Sequence, residues 1–391
     1  MEDGRLTKVL CLYSTHPVRA SFPQSVPRLI SVLFSGLAEL NPSLDFCVVS
    51  PESGFVDGCR SRSLGRGAVL GASNRVLSHI LKILRGMVVR SLASRALERR
   101  LSRLAETPEV VICLKGGDLL AARAVWPNAK RIYLPVSLPV TGSPTTLHSH
   151  LAASSLVVIA NPPMYWELFR QVQHLSFPPP VVVIPAPIDI ELIVTTREIA
   201  GPQERVKMGL GLDEFVIIQV GGRAAKGCRV VEFALAGLKP PNRPVRFLSI
   251  GHVQPRTHFF SNGIRVDRIA SVEIQDLYRY LVVSDLGVVP SVWFDCGPII
   301  LQEMMAAGLP VLAAKVGGSE HYLAGIRGAL VARPNDTDCW IESIQSLLDD
   351  DKERERLSRE CQQKLVSSRC SRGQVAEKYT VAIRQLLELP E

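Results

Sequence analysis

The stretch 290–310, PSVWFDCGPIILQEMMAAGLP, predicts a loop that leads into a helix. Pro298 suits the first position of a helix, where its missing N–H costs nothing. Gly308 suits the left-handed position just past the last turn, and Pro310 prevents the helix from starting again. We therefore expect a helix of about ten residues that begins at Pro298 and ends before Gly308.

The start of this helix and the carboxylates around it point to a ligand. The backbone N–H groups of Ile299, Ile300 and Leu301 would be free there, and free N–H groups at a helix N-terminus attract phosphate. Asp295 stands eight residues before Glu303, and carboxylates accept hydrogen bonds from sugar hydroxyls. Donors for phosphate beside acceptors for hydroxyls are what a nucleotide sugar requires. The alternative is an ordinary amphipathic helix with a buried capping acid.

This segment resembles the retaining glycosyltransferases of the GT-B fold and family 4 type, the glycosyl transferases group 1. Their signature is Glu-x7-Glu followed by Ala-Met-Ala-x-Gly-x-Pro-Val. Here the pair is Asp295-x7-Glu303 and the continuation, residues 304–311, is MMAAGLPV. The first acid is Asp in place of Glu and is one methylene shorter. The resemblance implies that Glu303 binds the nucleotide ribose, that Asp295 binds the donor sugar, and that Gly297 lies in the donor site.

A glycine-rich loop with two basic residues, residues 221–227 (GGRAAKG), follows a predicted strand. Gly221 and Gly222 would let the backbone approach a ligand closely. Arg223 offers a planar fork for phosphate oxygens and Lys226 a mobile point charge, so both would stabilise a departing diphosphate. The family places its diphosphate clamp here, but its two basic residues are usually five apart, and these are three apart. A solvated basic turn is the alternative.

The length and composition of the chain narrow the class of protein. The chain has 391 residues, 47% apolar and 21% charged, enough for two domains with full cores. No apolar run approaches the ~20 residues of a membrane span, and the polar start MEDGRLTKVLCLYS is unlike a signal peptide. Nine cysteines without a CxxC pair indicate free thiols in a reducing compartment, so we expect a cytoplasmic protein.

Short β-rich runs alternate with helical stretches along the whole chain, which indicates α/β sheets with parallel strands. The expected strands are 8–14, 46–50, 110–114, 131–135, 156–160, 181–185, 215–220, 245–250, 264–266, 286–290 and 311–314. With the resemblance, we expect the GT-B fold, two Rossmann-like doubly wound domains facing a central cleft. Residues 1–195 would bind the acceptor and residues 205–373 the nucleotide sugar, with the linker in 190–212. A closing helix, residues 374–387, would cross back to the first domain.

The net charge of +8 is concentrated in one stretch. Residues 75–103 carry eight basic residues against Glu98 alone, without the aromatic residues that nucleic-acid binding would favour. Apolar residues recur at helical spacing through 74–104, so we expect a basic amphipathic helix. Such a helix either lies on an anionic membrane surface or packs on its own sheet with a solvated basic face. The membrane alternative implies a protein peripheral to the inner membrane face, with a lipid-linked acceptor.

Other patterns are weaker. Asp349-Asp350-Asp351 resembles a metal-binding DxD only superficially and fits a solvated acidic face, so we expect no metal and no cofactor beyond the nucleotide sugar. Residues 317–320 (GGSE) form either a substrate-facing turn or a plain turn. His16 and Arg19 follow the first strand and would either contact the acceptor or a donor phosphate or be structural or exposed, and the second role is favoured. Residues 115–118 (KGGD) follow another strand and weakly indicate a position at the cleft. The family's cleft histidine has no counterpart in 133–140, so we assign no catalytic histidine.

The resemblance implies transfer of a sugar from a UDP- or GDP-sugar to the hydroxyl of an unidentified glycan, lipid-linked or small-molecule acceptor. In such chemistry a phosphate oxygen of the donor can take the acceptor's proton. The alternative from another class is a non-catalytic GT-B relative that acts as a binding or scaffold subunit at a membrane. A sugar-nucleotide epimerase is a third reading, against which the few histidines argue.

Overall fold

The computed structural model describes residues 6–15, 25–52, 56–64, 87–136, 144–172, 178–331 and 333–388. The chain divides into two compact units. The first comprises the chain up to Ile184 together with the segment from Gly373 onward, and the second is Pro185–Arg372.

The first unit contains a seven-stranded sheet in the order β3-β2-β1-β4-β5-β6-β7, with every neighbouring pair parallel. The central strands are continuous apolar runs that are buried on both faces, as parallel sheets covered by helices require. Its strands are β1 (Thr7–Leu12), β2 (Leu44–Ser50), β3 (Arg60–Ser63), β4 (Val110–Cys113), β5 (Lys130–Tyr133), β6 (Leu156–Ile159) and β7 (Val181–Val183).

The second unit repeats this plan with the order β10-β11-β9-β8-β12-β13-β14. All neighbouring strands are parallel except β10 and β11, which form an antiparallel edge. Its strands are β8 (Phe215–Val220), β9 (Val245–Ile250), β10 (Arg256–Phe259), β11 (Arg265–Ile269), β12 (Leu286–Val289), β13 (Val311–Ala314) and β14 (Leu330–Val331). The expected doubly wound parallel sheets are thus confirmed.

Three strands were not predicted from the sequence: β3, β10 and β14. All three lie at sheet edges, where one side of the strand lacks a partner. β3 reads RSRS and is held by its charges, because Arg60 donates to Asp45 at 2.6 and 2.7 Å and to Glu106 at 2.9 Å. Edge strands need no alternating apolar pattern, so their sequences gave no signal.

Helices separate most of the strands. They are α1 (Ser25–Leu40), α2 (Met87–Leu101), α3 (Gly116–Val125), α4 (Pro144–Ala152), α5 (Pro162–Val172), α6 (Ile190–Ile199), α7 (Pro202–Lys207), α8 (Cys228–Gly237), α9 (Ile274–Val282), α10 (Ile299–Ala306), α11 (Gly318–Tyr322), α12 (Thr337–Asp349), α13 (Asp351–Ser368) and α14 (Arg372–Glu388).

The boundary between the units falls earlier than the linker expected within 190–212. That segment forms α6 and α7, and both belong to the second unit. Asp189 caps α6 by accepting from Leu192 N at 3.2 Å, and Ile193 is fully buried. The helix therefore packs as part of the second core.

The closing helix α14 groups with the first unit. Its Thr380 hydroxyl accepts a hydrogen bond from Asn41 Nδ2 at 2.7 Å, and Val375, Tyr379 and Ile383 are buried. The helix is late in the sequence, yet Thr380 is bonded to Asn41, 339 positions earlier.

Part of the basic stretch is described, as α2 packed on α3, whereas residues 74–86 lie outside the described residues. Leu101 is buried, and Arg95, Arg99 and Arg103 are exposed, so this part of the stretch has a solvated basic face. Within the described ranges, no helix is both long and apolar enough to cross a membrane. All nine cysteines are free thiols.

Candidate functional site

The candidate site lies where the strand order of the second sheet reverses. The chain runs from β8 outward through β9, and later returns to place β12 on the other side of β8. Ligands of open α/β sheets bind outside the carboxyl ends of the strands at such a reversal. The glycine-rich loop 221–227 follows β8, and the loop that carries Asp295 follows β12.

An ion pair joins these two loops. Lys226 Nζ lies 2.5 Å from Asp295 Oδ2, although the two residues are 69 positions apart. The Ser291 hydroxyl and the Gly297 N–H both lie 3.4 Å from the Asp295 carboxylate. Asp295 is 8% exposed, while Lys226 is half-buried. The structure thus brings together three of the predicted site residues, and Ser291 is an addition that the sequence did not single out.

Glycine is required where the loops touch. Gly227 has φ +74°, and a Cβ there would lie 1.7 Å from the carbonyl oxygen of Pro290. Gly221 has φ +117° and packs against the Lys226 side chain, which a Cβ would approach to 2.9 Å. Val292 N donates to Ala225 O at 3.0 Å. The close approach of the two backbones positions Lys226 for Asp295.

The turn 317–320 contacts the backbone of the loop that carries Asp295. Gly318 N donates to the backbone carbonyl of Asp295 at 2.8 Å. Gly317 has φ +58°, and a Cβ there would lie 2.4 Å from the same oxygen. The turn therefore fixes the backbone of Asp295.

Helix α10 has eight residues, slightly fewer than expected. Pro298, with φ −68°, is its N-cap rather than its first residue, and Gly308 adopts the expected left-handed conformation with φ +83°. The Leu301 N–H was expected to be free, but it donates to Pro298 O at 3.0 Å, because the first turn tightens. Ile299 and Ile300 are the remaining predicted donors at this end.

Glu303 is 1% exposed and lies on the inward side of α10. The Tyr278 hydroxyl, on α9, donates to its Oε1 at 3.1 Å. The sequence singled out Glu303 but not Tyr278, because the two are neighbours only through the packing of two helices.

Arg223 is exposed, and within the described part of the chain no acidic residue forms an ion pair with it. It is the N-cap of the short 3₁₀ turn Ala224–Lys226. The structure does not bring its guanidinium onto the Lys226–Asp295 pair, so its role stays a prediction. Gly222 packs against the loop after β9, where a Cβ would lie 2.6 Å from Gly251 O.

The first unit has polar residues at the corresponding reversal, between β1 and β4. Asp118 is 2% exposed and accepts from the Ser14 hydroxyl at 2.5 Å and from Ser14 N at 3.1 Å. Lys115 Nζ lies 5.6 Å from the centre of the Tyr13 ring. Burial raises the pKa of Asp118, against the hydrogen bonds from Ser14, and burial lowers the pKa of Lys115, against the charge of Asp118.

A histidine also lies at this edge. His150, on α4, packs against Gly116, where a Cβ would clash with its ring, and its ring lies 6.0 Å from that of Tyr133 at the end of β5. The family's cleft histidine was expected directly after β5, whereas His150 reaches the end of β5 from a later helix. His16, Arg19 and residues 137–140 lie outside the described residues.

The acidic run Asp349-Asp350-Asp351 is a helix boundary. Asp349 ends α12, and Asp350 caps α13 by accepting from Glu353 N at 3.0 Å. Across the described ranges, no group of three or more His, Cys, Asp or Glu side chains is arranged to hold a metal ion.

Part of the second unit matches the model of a known family. Residues 214–350 match the family model of the glycosyl transferases group 1. A relative in sequence is the D-inositol 3-phosphate glycosyltransferase of Corynebacterium efficiens, 29% identical over 211 residues, which are 50% of this chain and 49% of the relative. The chain spans about half the length of the curated relatives it matches.

Solved structures show the same fold over nearly the whole chain. Sucrose-phosphate synthase of Thermosynechococcus elongatus has a TM-score of 0.72 at 17% identity, covering 98% of this chain and 99% of its own. HepE of Anabaena, in complex with UDP and glucose, has a TM-score of 0.67 at 15% identity, covering 97% and 100%. Residues 214–350 thus resemble the glycosyl transferases group 1, and the chain has the GT-B fold.

Proposed function

We propose that this protein transfers a sugar from a nucleoside diphosphate sugar to an acceptor hydroxyl, with retention at the anomeric carbon. The observation that carries the proposal is the Lys226–Asp295 pair at the strand-order reversal of the second sheet. In this pair, Lys226 would be the cation for the diphosphate and Asp295 the carboxylate for the sugar.

Lys226 would hold the leaving diphosphate. An ammonium has three N–H donors, and the contact with Asp295 uses one, so Lys226 can bind a phosphate oxygen without leaving its carboxylate. Arg223, exposed on the same loop, would add a second cation, and the N–H groups of Ile299 and Ile300 would add partial positive charge. Together they would stabilise negative charge as the glycosidic bond breaks.

The carboxylates would orient the rest of the donor. Asp295 would accept from hydroxyls of the sugar, with Gly297 next to it. Glu303 would accept from the ribose hydroxyls, and Tyr278 would hold its carboxylate in place. The acceptor oxygen forms the new bond to the anomeric carbon, the bond to the diphosphate breaks, and the acceptor proton passes to a diphosphate oxygen.

The donor would be a UDP- or GDP-sugar, which the UDP bound to the similarly folded HepE supports. The acceptor would contact the first unit, where Lys115, Asp118 and His150 line the carboxyl ends of the strands. The basic face of α2 would suit a lipid-linked or other membrane glycoconjugate.

Calorimetry with UDP and GDP, followed by turnover of the corresponding sugar nucleotides, tests the proposal. We expect Lys226→Met to weaken diphosphate binding and abolish most turnover. Lys207→Met is the matched control, because Lys207 is exposed in the same unit and, among the described residues, pairs only with Glu204, at 3.5 Å. Equal loss in both variants would overturn the assignment of Lys226. Nucleotide binding without turnover of any sugar nucleotide would favour a non-catalytic binding subunit.

A further inference from the structure

A chain of hydrogen bonds runs from the glycine-rich loop to a histidine on the neighbouring strand end. Gln219 Nε2 donates to Gly221 O at 2.9 Å, the Ser249 hydroxyl donates to Gln219 Oε1 at 2.7 Å, and Ser249 Oγ lies 2.7 Å from His252 Nε2. Gln219 and Ser249 are register partners on β8 and β9, so the sheet itself aligns the chain.

The direction of these bonds fixes the tautomer of His252. Gly221 O can only accept, so the Gln219 amide must point its NH₂ group there and its oxygen toward Ser249. The single Ser249 proton then goes to Gln219, and Ser249 Oγ must accept from His252. The neutral imidazole therefore carries its proton on Nε2, and Nδ1 is left as an acceptor.

The Nδ1 atom is available to a ligand. Within the described ranges, Ser249 is the only side chain that hydrogen-bonds His252, and the residue is half-buried. Its backbone N–H and that of Gly251 both donate to Ile269 O at 2.9 Å, which holds the loop against the end of β11. Gly251 packs on Gly222, so His252 borders the loop proposed to hold the diphosphate.

The charges around His252 come from three further elements: Arg268 on β11, Arg256 on β10 and Glu232 on α8. Arg268 and Glu232 form an ion pair of 2.5 Å. Burial is the main cause that lowers the pKa of His252, and Arg268 and Arg256 lower it further, against Glu232. The ring is therefore neutral at neutral pH, with Nδ1 unprotonated.

We propose that His252 Nδ1 accepts a hydrogen bond from a ring N–H of the nucleobase, so that this residue selects uracil or guanine over cytosine or adenine. A neutral acceptor repels phosphate oxygens, and the ribose hydroxyls are assigned to Glu303, so the base supplies the remaining donors of a nucleotide. Uracil and guanine carry a ring N–H where cytosine and adenine carry a bare nitrogen. This inference rests on the proposed function.

Ser249 and Gln219 are positioning residues in this scheme. Both are buried, at 0% and 1% exposure, and they would reach the base only through the ring of His252. In Ser249→Ala, nothing would hold the proton of His252 on Nε2, so base selectivity should fall. The contacts of the diphosphate should stay intact.

Calorimetric titration of the full chain with UDP against CDP, and with GDP against ADP, tests the proposal. At about pH 8 we expect the N–H base of each pair to bind about tenfold more tightly, the value of one neutral hydrogen bond. As the pH falls through the lowered pKa of His252, protonation turns Nδ1 into a donor, so the preference should shrink or reverse. His252→Ala should remove both the preference and its pH dependence, whereas the control His258→Ala, on β10 of the same unit, should keep both.

Several results would overturn the proposal. Equal affinity for both members of each pair, or an unchanged preference in His252→Ala, would exclude contact with the base. The same holds if 2′-deoxy-UDP loses the affinity in the wild type but not in His252→Ala, because the partner would then be a ribose hydroxyl. If UDP and GDP bind and Lys226→Met weakens their binding, the proposed function stands even where His252 does not select the base.

Discussion

The two units place a lysine and an aspartate at the same position of the same kind of sheet, yet arrange them differently. In the second unit, Lys226 and Asp295 come from two loops and meet at 2.5 Å. In the first, Lys115 and Asp118 share one helix start, Asp118 is bound by Ser14, and Lys115 lies over the Tyr13 ring.

The difference indicates two kinds of ligand. A half-buried ion pair holds a cation in position for phosphate. In the first unit, burial lowers the pKa of Lys115 and the carboxylate is already occupied, which suits weaker contacts with a less charged molecule. The family match, residues 214–350, falls wholly in the second unit. We infer that the family's donor chemistry resides there, while the first unit sets the acceptor.

The largest expected effect comes from the two lysines. Lys226→Met should lower kcat/KM by about 10²–10³, as for loss of one charge-stabilising donor. Lys115→Met should raise the acceptor KM by about tenfold and leave the donor Kd unchanged, since it removes one contact on the acceptor side. Steady-state kinetics with both substrates varied distinguish the two. A loss of donor affinity in Lys115→Met would contradict the assignment of the donor to the second unit and of the acceptor to the first.

The next effect concerns binding to anionic membranes. We expect the basic residues of the first unit to contribute to this binding and those of the second unit not to. Replacing Arg95, Arg99 and Arg103 by Ser should cost about 3 kcal/mol of vesicle binding, roughly 1 kcal/mol for each charge. Sedimentation with phosphatidylserine vesicles at low salt measures it. The control replaces Lys207, Lys239 and Lys352, three exposed lysines of the second unit. Equal losses in both triple variants would show only unspecific charge attraction.

A smaller effect concerns stability at the donor loop. Gly227→Ala should cost about 3 kcal/mol, because it adds a clash with Pro290 O to the strain of a left-handed residue. Gly263→Ala is the control: φ is also positive, at +85°, but a Cβ would meet no atom within 4 Å, so only about 1 kcal/mol is expected. Denaturant unfolding measures both. Similar costs would show that the two loops can separate.

The smallest effect is a pH dependence that the units share. Burial acts to raise the pKa of Glu106 in the first unit and of Asp267 in the second. Hydrogen bonds outweigh it in both, chiefly from Arg60 to Glu106 and from Thr257 to Asp267, so both values are lowered.

Each carboxylate therefore contributes stability above the unfolded pKa of about 4, and this stability is lost as the pH falls through the lower folded value. The free energy of unfolding falls by roughly 1 kcal/mol for each pH unit by which folding lowers the pKa of the carboxylate. Thermal unfolding of Glu106→Gln and Asp267→Asn between about pH 7 and pH 3 should show a flatter profile than that of the wild type. A profile as steep as the wild type's in either variant would assign the acid sensitivity to other groups.

The sequence predicted the central strands of both sheets but missed three of the four described edge strands, β3, β10 and β14. Strands β8, β9 and β13 were predicted with their observed bounds, because buried parallel strands are continuous apolar runs. The polar β3 and β10 are strands only because a neighbour pairs with them, and the boundary of the units depends on which core α6 joins. Neither is encoded in a local pattern.

The sequence by itself determined the local backbone of the candidate site. It marked the end of α10 at Gly308, because sterics within a few residues decide that conformation. The glycines of the loop 221–227 were expected to let the backbone approach a ligand, and their contacts with other backbone segments came only from the tertiary structure. Only the tertiary structure decided that Lys226 meets Asp295, that Tyr278 holds Glu303, and which nitrogen of His252 carries the proton. These depend on strand order and register, which bring together residues that are far apart in the chain.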